Sequence, residues 1–172
     1  MSEKLIPEHI DPFRYAEQSL SLDGILNIAV MKRLSANVIA NDNTVKVNLH
    51  FGVDEQQVTY LTGHLESKLT LQCQRCMEPF NYEIITDFAL GIISTLDEAN
   101  ALPERYEPVL ATEGNLALRE LIEDEIILNL PIIPRHELDE CNVTLPLGDS
   151  EWEQGKGENP FNVLESLKHK RE

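Results

Sequence analysis

The chain has 172 residues, with 14 Lys or Arg against 30 Asp or Glu, and a formal net charge of −16. With 42% apolar residues it can bury a core, which excludes wholesale disorder. So acidic a surface repels phosphate backbones, which disfavours direct RNA binding. No apolar run approaches the roughly 20 residues of a membrane span. The start Met1-Ser2-Glu3-Lys4-Leu5 lacks a secretory pattern, and the odd number of cysteines, three, fits reduced thiols in a cytoplasm.

Asp11 as N-cap and Pro12 at the first helical position predict a short helix near the N-terminus. From Leu20 the period becomes two. Leu20, Leu22, Leu26, Ile28 and Val30 share one face of a strand, and Met31 to Leu34 form a bend or helical turn. The cleanest strand follows, with Val45, Val47, Leu49, Phe51 and Val53 alternating with polar residues. Asp54-Glu55-Gln56-Gln57 supplies a turn into a strand from Val58 to Gln72, which points Leu61, Leu65, Leu69 and Leu71 inward. Phe80, Tyr82, Ile84, Phe88, Leu90 and Ile92 then share one face of a third long strand. Three strands joined by short turns pair antiparallel, because a parallel return needs a dozen or more residues.

Residues 95–114 read as an acidic, proline-containing connection with little pattern. A helix is predicted from Asn115, with Leu118, Leu121, Ile122 and Ile126 as its apolar stripe and Arg119, Glu120, Glu123 and Asp124 facing water. Pro131 ends it, and Leu130-Pro131-Ile132-Ile133-Pro134 is expected as a stiff segment laid across the core. Residues 142–158 read as a flexible acidic linker, and Asn159-Pro160 opens a short C-terminal docking helix over 159–172. Residues 1–141 are then a single α+β domain. Its antiparallel sheet carries the amphipathic helix on its apolar face, with short helices towards the termini.

The chemistry concentrates in Cys73-Gln74-Arg75-Cys76, placed by the pattern in a sharp turn between two strands. A tetrahedral metal needs four ligands, often as two pairs, and His136 with Cys141 could complete the set as a zinc site. Alternatively, Cys141 is an ordinary loop thiol and His136 merely polar. A redox pair would need a helix N-terminus, which a β-turn does not provide. Arg75, exposed by the turn, and the carboxylates Glu123 and Asp124 are candidate partner contacts, as are Phe161 and Leu164 on the terminal helix. The histidines are scattered and no nucleophile elbow or phosphate loop is present, so the chain is expected not to be an enzyme.

Leu71-Gln72-Cys73-Gln74-Arg75-Cys76 with Pro79-Phe80, Glu123 to His136 with Cys141, and Asn159-Pro160-Phe161 through Lys168 together resemble the YceD family. The segment Pro103-Glu104-Arg105-Tyr106-Glu107-Pro108 resembles its proteobacterial branch. The resemblance implies a cytoplasmic, non-catalytic factor that promotes synthesis, processing or stability of large-subunit (23S) ribosomal RNA. It would act through contacts with basic ribosomal proteins or an RNA-processing enzyme. The alternative is a zinc-stabilised interaction adaptor unrelated to ribosomes. Where other branches of the family carry a further cysteine pair, this chain has Leu145-Pro146-Leu147-Gly148.

Overall fold

The computed structural model describes residues 6–39, 43–137 and 140–141. The linker and terminal helix expected over 142–172, with Phe161 and Leu164, lie outside them.

The first elements are β1 (His9–Ile10) and α1 (Pro12–Glu17), the latter capped by Asp11, whose carboxylate accepts from the Arg14 N–H at 3.1 Å. A five-stranded sheet follows in the order β2 (Ser21–Asn27), β3 (Thr44–Val53), β4 (Thr59–Gln72), β5 (Pro79–Ile93) and β6 (Glu107–Leu110). The long central strands pair antiparallel, as the short turns between β3, β4 and β5 require, and the α+β class is as expected. Val45, Val47, Leu49, Phe51, Leu61, Leu65 and Leu69 are buried along one face of β3 and β4. The strand expected to run on to Val30 stops at Asn27, whose side chain accepts from the Ala29 N–H at 2.8 Å and starts a 3-10 turn.

The connection after β5 holds more structure than its sequence suggests. Glu98 accepts from the Ser94 N–H and the Thr95 hydroxyl, fixing a 3-10 turn over Leu96–Ala101. The chain then returns as β6, parallel to β5, with Leu90 opposite Glu107. Residues 94–106 supply the length a parallel return demands. They lie directly on β5: a Cβ added at Gly91 would meet the Leu102 methyls at 2.8 Å, so a larger residue there would push the Leu102 side chain aside.

The predicted helix begins at Leu118, because Leu116 and Ala117 form β7 (Leu116–Ala117), an antiparallel pair with β1. The first helical N–H, Leu118, donates to Glu8 C=O at 2.9 Å. The helix, α3 (Leu118–Leu128), buries Leu118, Ile122 and Ile126 completely. One expectation for its outer face fails. Glu123 is 5% exposed and does not face water. One carboxylate oxygen accepts from the N–H groups of Arg33 and Leu34 at 2.6 and 2.9 Å, and the other from the Arg33 guanidinium at 3.2 and 3.3 Å. Those N–H groups open α2 (Lys32–Ser35), whose own cap residue, Met31, has no capping side chain. A helix distant in sequence therefore supplies the cap. Asp124 is half-exposed and pairs with the same guanidinium.

The segment after α3 also departs from expectation. Leu130 packs on the core, but Ile132 is 96% and Ile133 54% exposed, so the segment runs over the surface towards the cysteine turn. The peptide carbonyl of Pro134 accepts from the Gln74 N–H at 2.8 Å, which fixes its far end there.

Replacing Glu123 with Gln should lower the urea-unfolding free energy by about 2–3 kcal/mol, because paired groups at a buried cap lose their charged acceptor. Asp124→Asn, at a screened surface pair, should change it by less than about 1 kcal/mol. Equal effects of the two substitutions would refute the assigned cap.

Candidate metal centre

Alternation along β4 gives Cys73 the same inward parity as Leu69 and Leu71, and it is fully buried. The turn beyond it closes through Met77 N–H to Cys73 C=O at 2.9 Å and Cys73 N–H to Glu78 C=O at 3.0 Å. Met77 takes a left-handed φ of 65° as the chain turns from Cys76 into β5. His136 arrives on the surface segment tied down at Pro134, and its ring sits 5.1 Å from that of Phe80. Cys141 completes the group.

The four residues named from spacing alone are thus brought together. One donor atom from each of Cys73, Cys76, His136 and Cys141 lies within 4.8 Å of all the others. The Sγ atoms of Cys73 and Cys141 are 3.9 Å apart, and the Cys76 Sγ is 3.3 Å from His136 Nδ1. A tetrahedral ion with zinc's bond lengths would set sulfur–sulfur and sulfur–nitrogen separations of about 3.8 and 3.5 Å. Three soft thiols and an imidazole at these distances can hold a metal ion.

Arg75 does not take the exposed position expected of a turn residue. It is half-buried, donating from Nε to the Cys141 Sγ at 2.9 Å and from a terminal nitrogen to the Glu137 carbonyl at 3.2 Å. A cation so placed offsets part of the charge of three thiolates, and its own pKa is raised chiefly by Cys141. Burial opposes ionisation of Cys73. Yet the backbone N–H groups of Cys76, His136 and Arg75, helped by the His136 ring, outweigh it and lower the thiol from 9.0 to about 5. Burial and the neighbouring sulfurs push Cys76 upward.

Of the remaining expected contacts, Glu123 and Asp124 are engaged with Arg33 on a different part of the domain. Sequence reasoning missed the role of Phe80, whose inward parity was legible although its contact with His136 was not. It also missed the Gln74–Pro134 backbone bond, which no side chain announces.

The family model described as "Large ribosomal RNA subunit accumulation protein YceD" matches residues 61–168, a span that contains all four candidate ligands. The chain is 33% identical to the large ribosomal RNA subunit accumulation protein YceD of Haemophilus influenzae, over 99% of this chain and 100% of that protein. No solved structure matches it significantly.

Because the folded Cys73 thiol ionises below its unfolded value, its contribution to the stability of the metal-free protein is full above pH 9.0 and declines towards pH 5. Ultraviolet thiolate absorbance of that protein should therefore show one cysteine titrating near pH 5, and Cys73→Ser should remove the step. Three thiols titrating together near 9.0 would contradict this arrangement.

Proposed function

The chain belongs to the YceD family, and from that membership we propose that it is a cytoplasmic, non-catalytic factor promoting the accumulation of large-subunit ribosomal RNA through protein contacts. The observation that carries this reading is similarity along essentially the whole length of a protein named for that role. A net charge of −16 supports basic ribosomal proteins or an RNA-processing enzyme as partners, and argues against a grip on naked RNA. No helix among the described residues is long and apolar enough to cross a membrane.

Within this reading the cysteine cluster is structural. Cys73, Cys76, His136 and Cys141 would hold zinc, which supplies cross-linking: it would pin the surface segment carrying His136 and Cys141 to the end of β4. Arg75 would orient Cys141 and temper the charge of the site. The adaptor reading shares this centre and differs only in pathway. Full-length similarity to a protein named for ribosomal RNA accumulation favours the ribosomal one.

Deleting the gene should lower the ratio of large- to small-subunit ribosomal RNA, and re-expression should restore it. An unchanged ratio would defeat the proposal. Elemental analysis of the purified protein should find about one zinc per chain, with Cys73→Ser losing it. Chelation should lower the thermal midpoint by at least about 5 °C.

A further inference from the structure

A groove of about 640 Å³ runs between α3 and the turn joining β6 to β7, and none of its lining residues belongs to the cysteine cluster. Half-buried Val109 and Leu121, buried Leu116 and Leu110, 40% exposed, give it an apolar floor strip, beside polar His9 and Asn115. Its rim carries Glu113, Glu120 and Asp124, with Glu107 and Glu125 close by. Asp124 meets Arg33. Glu107, Glu113, Glu120 and Glu125 form no ion pair with any described residue. Burial raises the Glu125 carboxyl, and the charges of Glu107 and Asp124 raise it further.

We propose that this groove is the docking site for a basic amphipathic segment of a partner protein, with apolar side chains on the Val109–Leu110–Leu121 floor and Lys or Arg side chains against the carboxylate rim. The inference rests on the reading that the chain works through protein contacts. Other occupants fit worse. A neutral apolar segment would desolvate carboxylates and leave them unpaired. A second copy in a two-fold contact would set the acidic rim against itself, and a nucleic acid would bring more negative charge. A basic segment buries the floor and neutralises the rim together.

The test uses the full chain and a fluorescent synthetic peptide of about 14 residues with Leu and Lys at helical spacing, followed by anisotropy. A Leu/Glu analogue and a single-stranded RNA of matched length serve as comparison probes. The Leu/Lys peptide should bind, weaken as salt rises, and lose about tenfold in affinity when Glu107, Glu113, Glu120 and Glu125 are all changed to Gln. Leu121→Asp should weaken it as well. Should that variant misfold, the four Gln substitutions, which bury no new polar group, still decide the matter. Equal binding of the Leu/Glu peptide, preferential binding of the RNA, or indifference to the Gln substitutions would overturn the assignment. A Gln variant that loses the peptide yet fully restores the ribosomal RNA ratio in deleted cells would overturn the groove and leave the proposed role standing. An unchanged ratio on deletion strikes at the role itself.

Discussion

The antiparallel pairing of β4 with β5 is the constraint on which both core and cysteine centre depend. Its register runs unbroken from Tyr60 opposite Gly91 to Gln72 opposite Pro79. Side chains alternate along a strand, so a slip of one residue would turn Leu61, Leu65 and Leu69 to solvent and move Cys73 off the buried face. At its Gln72–Pro79 end the same ladder delivers the turn that carries Cys76. The candidate ligands Cys73 and Cys76, just beyond β4, are therefore placed by the same hydrogen bonds that hold the core.

A second dependence runs through Glu123. Burying a carboxylate is costly unless its hydrogen-bonding capacity is met, and here both oxygens are met by the start of α2 and by Arg33. The carboxylate joins two helices that share no sequence neighbourhood. In a chain with so large an excess of acidic residues, this one acts inward while Glu120, Glu113 and Glu107 stay on the surface. The acidic character thus divides into a structural part and a part available to partners.

The cysteine centre and the acidic groove are built from separate residues, and a protein acting by contact has use for both. The first gathers side chains from the cysteine turn and from the chain beyond α3. The second offers apolar area bordered by negative charge. Arg75, turned towards Cys141, lies beside the centre.

The sequence alone determined the long strands, the helix stripe and the four ligand types, because period-two and period-3.6 burial and soft-donor chemistry are local properties. It determined the family too, through motifs set in fixed order along the chain. Only tertiary structure decided what depends on distant partners. The cap of α2 comes from α3, and Leu116 and Ala117 leave the helix because β1 lies beside them. β6 runs parallel because a crossover packs on Gly91, and Ile132 and Ile133 meet solvent because their segment is pulled towards Gln74. In each case the determining hydrogen bond or contact joins residues far apart in the chain, and no local pattern encodes the side on which a distant partner arrives.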